Sequence, residues 1–208
     1  MFYKQALHCI AMIIVVLLGQ AQVIKAQGVA VSKWKVEKNS TLHVKGKSNV
    51  NSFTCTINEY TKNDTLILSN DVSKSLRLRG EIKMDVLKFD CHSGMLTKGL
   101  RQTLKADDYP TMIIRFLSLE RIPAFLTGQE VVNGLIEVEL AGAVKRFELT
   151  YSFRKNSGGN IQLDGGRTFC FSDFHLSPPK KFGGLIKIKD EFVVQFQLLL
   201  RPVQGAVL

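Results

Sequence analysis

The sequence predicts an all-β protein: an antiparallel, eight-stranded barrel with one short helix near residues 95–105. Short runs of alternating apolar and polar residues, turn-forming residues between them, and a single stretch of helical spacing carry that prediction. At 208 residues the chain has room for one domain of ordinary size.

Leu42 and Val44 alternate with His43 and Lys45, and Val50, Phe53 and Ile57 continue the apolar face. The cleanest run follows, with Leu76, Leu78, Ile82, Met84 and Val86 set against Arg77, Arg79, Glu81, Lys83 and Asp85. Successive side chains of a strand point to opposite faces, so each run offers one face to a core and one to water. Leu96, Leu100 and Leu104 recur every four residues instead, which puts them on one side of a helix, with Lys98, Arg101 and Lys105 turned away. Asp107, Asp108 and Tyr109 are expected to stop that helix, because Pro110 pushes its predecessor toward extended backbone. Met112, Ile114 and Phe116 then start the next strand. Ile136, Val138 and Leu140 alternate with Glu137 and Glu139, and Phe147, Leu149, Tyr151 and Phe153 with Glu148, Thr150 and Ser152. Phe169 and Phe171 precede a break at Pro178–Lys181, after which Ile186, Ile188, Phe192, Val194, Phe196 and Leu198 form a long closing run. Asn133-Gly134, Ser157 to Asn160 and Gly165-Gly166 read as hairpin connections, since glycine and asparagine accept the backbone angles of tight turns.

Residues 1–26 read as a targeting segment, with Lys4 ahead of an uncharged apolar run from Cys9 to Gly19 and small residues at Ala21 and Ala26. That run falls short of the roughly 20 residues that span a bilayer. Cleavage is expected after Ala21 or Ala26, with the first fitting the small-x-small pattern better. The formal charge of +10 drops to +9 on loss of Lys4, or to +8 on loss of Lys4 and Lys25. The mature protein is basic either way, but its positive residues are scattered and no nucleic-acid motif accompanies them. An exported chain meets an oxidising compartment, where Cys55, Cys91 and Cys170 can pair in three ways. Cys55 and Cys91 each close a strand-like run, which favours a disulfide between them and leaves Cys170 as a buried thiol.

Phosphate-cradling glycine loops are absent, as are GxSxG, HExxH and CxxC arrangements. His43, His92 and His175 lie far apart in the sequence, and the adjacent pair Cys91-His92 would point to opposite strand faces. No catalytic residue, metal ligand or cofactor is assigned, and the chain is expected not to be an enzyme.

From Trp34 to Leu200 the chain resembles the YceI-like family of exported, lipocalin-like proteins. The resemblance rests on the Ser40 to Phe53 stretch, STLHVKGKSNVNSF, on Leu104 to Pro110, LKADDYP, followed by Met112, Ile114 and Phe116, and on Gly134 to Arg146. It implies a barrel domain over 34–201 that holds an amphiphile with a long apolar tail, a polyisoprenoid, quinone or similar lipid, as a carrier or sequestering protein of the periplasm, with secretion beyond the cell as an alternative. Alternation nominates inward-facing Leu78, Met84, Met112, Ile114, Phe116, Val138, Leu140, Phe171, Phe192 and Phe196 for the tail, and Lys105, Lys180 and Lys181 flank breaks where a polar head would lie. A filled barrel shares this pattern. The competing expectation is a structural or interaction module whose basic surface docks a partner or makes peripheral contact with an anionic membrane.

Overall fold

The computed structural model describes residues 31–70, 76–124, 128–181 and 185–203. The targeting segment lies outside them. Eleven strands form one antiparallel sheet: β1 Val31–Val36, β2 Thr41–Ser48, β3 Ser52–Ile57, β4 Thr65–Asn70, β5 Leu76–Asp85, β6 Thr111–Leu119, β7 Gln129–Leu140, β8 Ala143–Lys155, β9 Ile161–Cys170, β10 Lys180–Lys181 and β11 Ile186–Pro202. Among the described residues one α-helix, α1, spans Gly94–Thr103, and short 3-10 turns occupy Val86–Lys88 and Phe171–Phe174.

Eight of the strands close a ring in the order β1, β4, β5, β6, β7, β8, β9, β11 and back to β1. The 17-residue β11 makes closure possible. Its end pairs with β1 through Trp34 opposite Pro202 and Val36 opposite Leu200, and its middle pairs with β2 through Leu42 opposite Phe196. The β2–β3 hairpin therefore continues the wall where β1 leaves off. The free edge of β3 is covered rather than exposed: Thr56 and Asp90 exchange backbone hydrogen bonds at 2.7 and 3.0 Å, and Cys55 and Cys91 are joined by a disulfide. Cys170 departs from expectation, since it is a free thiol only partly buried at the end of β9.

Alternation predicts the wall well, and its exceptions have physical causes. Asn133-Gly134 is no hairpin but lies inside β7, where a side chain at Gly134 would meet the Tyr151 ring at 2.6 Å and the Ser118 carbonyl at 2.4 Å. Gly165-Gly166 likewise lies inside β9, with the Phe196 ring packed where a Gly165 side chain would stand. These glycines admit close packing across the barrel, the second meaning of glycine within a strand. The actual β7–β8 turn is Ala141-Gly142, with φ of 50° and 81° as a tight two-residue hairpin requires. Helix α1 ends earlier than Asp107. Lys105 sits in left-handed conformation, with Lys105 N–H bonded to the Gln102 carbonyl and Ala106 N–H to the Arg101 carbonyl, which terminates the helix without help from the proline. Val50, expected on the apolar face, is exposed in the β2–β3 turn.

The interior divides into two parts. Trp34, Leu66, Leu78, Tyr151, Phe153, Leu163 and Leu198 are all buried and linked through paired positions such as Trp34 opposite Leu66 and Leu163 opposite both Phe153 and Leu198. They fill one end of the barrel. The other end is roofed by α1 and the two 3-10 turns.

Candidate functional site

Beneath that roof lies an apolar cavity. Met112 and Ile114 of β6, Ile136, Val138 and Leu140 of β7, Leu149 of β8, Phe169 of β9 and Phe192, Val194 and Phe196 of β11 form its walls, with Leu42 and Val44 of β2 alongside. Leu100 and Leu104 close it from α1, together with Phe89, Phe171 and Phe174. The helix presents this face because its leucines share one side. It is held in place by Arg101, whose guanidinium donates to the carbonyls of Phe89, at 3.0 Å, and Leu87. The cavity has a volume of about 60 Å³. That is well below the roughly 300–1,000 Å³ of sites for drug-sized molecules, and it makes the space a narrow slit. Such a slit suits a linear apolar chain better than a rounded ligand. A smaller crevice of about 20 Å³, lined by Phe53, Leu96, Pro179 and Ile188, adjoins it and shares Val44, Leu100, Phe171 and Phe192.

Aromatic rings form a partition between slit and filled end. Phe116, Tyr151 and Phe196 lie with ring centroids 5.9 to 6.5 Å apart, and Phe153 follows behind Tyr151 at 6.2 Å. The Tyr151 hydroxyl is fully buried without a hydrogen-bond partner, and burial pushes its pKa upward. At the opposite side of the slit, Phe169 meets Phe147 edge-on at 4.8 Å and stacks with Phe192 at 6.0 Å.

Among the residues lining the slit, Arg167 alone is charged. It belongs to the inward-pointing phase of β9, after Ile161, Leu163 and Gly165 and before Phe169, yet it is exposed. Its guanidinium lies 5.2 Å from the Phe147 ring centroid, and its Nη1 donates to the Glu148 carbonyl at 2.7 Å. Lys145 also faces the Phe147 ring, at 5.8 Å, and donates to Asp173. That contact, the Cys170 N–H and the field of Arg167 hold the Asp173 carboxyl below its ordinary pKa. Burial, then Asp190, Asp173 and Glu191, push the Cys170 thiol the other way.

No protein-family model and no curated protein matches the chain. Solved structures do. A polyisoprenoid-binding domain from Saccharophagus degradans, implicated in plant cell wall breakdown, superposes with a TM-score of 0.61 at 12% identity, covering 84% of this chain and 99% of that one. BcnA of Burkholderia cenocepacia superposes at 0.58 and 16%, covering 77% and 95%. The Campylobacter jejuni YceI protein gives 0.51 and 16%, covering 76% and 85%. The chain has the YceI fold.

Within this YceI fold, Met112, Ile114, Val138, Leu140, Phe171, Phe192 and Phe196 from the sequence-nominated set line the slit. Leu78, Met84 and Phe116 are buried but lie outside its lining. Lys105 is exposed beyond the end of α1 and away from the lining, and Lys180 and Lys181 form β10, pairing with Lys187 and Ile186, with side chains outside the described set. Sequence reading did not nominate Leu100, Leu104, Phe169, Phe174 or Arg167. The leucine stripe of α1 was visible, but no spacing says which hollow a helix covers. Arg167 and Lys145 did carry a usable signal, a cation in the apolar phase of a strand.

Proposed function

We propose that this chain is an exported protein of the cell envelope that binds an amphiphile with a long apolar tail, a polyisoprenoid, quinone or similar lipid, as a carrier or sequestering protein without bond-making chemistry. The apolar slit under α1 carries this reading. Burying a tail there gains about 0.8 kcal/mol per methylene, so retention needs no reactive group. The polyisoprenoid-binding domain of Saccharophagus degradans, which shares the fold, supports the ligand class. The charge and apolar pattern of residues 1–26 supports export to the periplasm.

Organic extraction of the purified protein followed by mass spectrometry tests the proposal. A co-purifying lipid with a long apolar chain is the expected result. Protein that carries none, and takes up none when offered prenyl alcohols, contradicts it.

A further inference from the structure

One seam of the barrel wall beside the slit is zipped over only part of its length. The β8–β9 ladder runs from Lys155 opposite Ile161 to Thr150 opposite Gly166 and stops there. Beyond that point, β8 continues to Ala143 paired only with β7, and β9 continues to Cys170 paired only with β11. Side chains close the gap instead. Arg167 reaches across to the Glu148 carbonyl, and Lys145 of β8 reaches Asp173 in the 3-10 turn after β9. The apolar slit therefore meets a cationic margin at this seam, with both cations seated on the face of Phe147.

The two cations differ in their partners. Lys145 has a carboxylate, whereas Arg167 forms no ion pair with any described residue and is held by one neutral carbonyl. A guanidinium has five N–H donors in a planar fork that matches paired anionic oxygens, so most of the donating capacity of Arg167 is open to a ligand. Two of the carboxylates nearby have their own bonds: Asp173 accepts from Lys145 and from the Cys170 N–H, and Asp190 accepts from the Ser172 N–H and hydroxyl, while Glu191 stands opposite Cys170 in the β9–β11 ladder.

We propose that this seam is the head-group site of the amphiphile: Arg167, with Lys145 beside it, holds a phosphorylated head while the apolar tail lies in the slit. The assignment rests on the tail-binding reading above and adds the class of head. Binding would exchange one bond of Arg167 to a backbone carbonyl, in which only the donor is charged, for bonds to phosphate oxygens in which both partners are charged and which can form in pairs. No backbone ladder has to open, because none crosses this part of the seam.

Equilibrium binding of geranylgeranyl monophosphate and of geranylgeraniol, to the protein and to its Arg167→Gln, Lys145→Gln and Lys155→Gln variants, tests the assignment. Lys155 lies exposed at the far end of β8, so its variant controls for net charge alone. The protein should prefer the phosphate ester over the alcohol by about tenfold or more. Arg167→Gln should remove that preference while leaving alcohol affinity intact. Lys145→Gln should reduce it, and Lys155→Gln should keep it. A preference that survives in Arg167→Gln, or none in the unaltered protein despite tight alcohol binding, overturns the head-group site and leaves the tail site standing. If neither compound binds, the tail-binding reading fails with it. Inorganic phosphate titrated alone should bind far more weakly than the ester, and equal affinity would make the seam a site for the free anion instead.

Discussion

Leu149 and Tyr151 stand two residues apart on the same face of β8, yet Leu149 borders a slit while Tyr151 is enclosed by Phe116, Phe153 and Phe196. The difference arises from what opposes them. Toward the filled end, large side chains from facing strands interleave, and Gly134 and Gly165 remove the bulk that would keep the rings of Tyr151 and Phe196 apart from the wall. Toward the slit, a helix covers the barrel mouth, and its leucines reach the interior from only one side. One alternation of apolar residues thus yields a packed core and a cavity in the same barrel.

The comparison is sharpest where a large ring is deleted. Phe153→Ala in the filled end should cost about 3–5 kcal/mol in urea unfolding, because a close-packed site collapses only in part. Lipid content of the folded fraction should not change. Replacing both Cys55 and Cys91 by serine should cost about 2–4 kcal/mol, since the bond closes a loop with a sequence separation of 36. That loss loosens the approach to α1, so lipid retention should fall along with stability. Unchanged retention would detach the roof from the cavity.

Overpacking separates the two regions by its sign. Val132→Phe in the filled end should destabilise by about 1–3 kcal/mol, whereas Val138→Phe should cost under about 1 kcal/mol because the slit receives the added ring. The second variant should also abolish lipid co-purification. Tyr151→Phe should raise stability by about 1 kcal/mol, through loss of a buried hydroxyl that has no partner. Destabilisation on thermal melting would mean that the hydroxyl is bonded in solution. The smallest effect concerns pH at the seam. Asp173 has its pKa lowered by Lys145 and the Cys170 N–H, so its contribution is complete above the ordinary carboxylate pKa and is lost as pH falls through the lowered folded value. The exposed Lys145 keeps this below about 1 kcal/mol, measured as the difference between the protein and Asp173→Asn across an acid titration.

Most of the wall was legible in the sequence because a period of two is local and strong. Residues Leu76 to Asp85 and Ala143 to Lys155 announce their buried face without reference to any partner. The helix could be placed from Leu96, Leu100 and Leu104 for the same reason. Reading failed where a residue has two physical meanings. Asn133-Gly134 and Gly165-Gly166 have the composition of turns, and only the rings of Tyr151 and Phe196 reveal that these glycines serve packing. The site was half legible: strand positions such as Ile114 and Val138 follow from alternation, but Leu100, Phe89 and Phe174 join the lining through tertiary placement of the roof. Arg167 is hard to see in the sequence because its neighbours Gly165-Gly166 have the composition of a turn, which interrupts the phase that marks it as an inward cation.

The long final strand has a temporal consequence. Arg201 pairs with Glu37 across 164 positions of the chain, and β11 supplies the partner for β1, β2 and β9 alike. A nascent polypeptide, or one threading through a pore with its amino end leading, lacks that last stave until Ile186–Pro202 has emerged. Assembly of the vessel therefore waits for β11, and contacts of such wide separation place it among the slower-folding topologies.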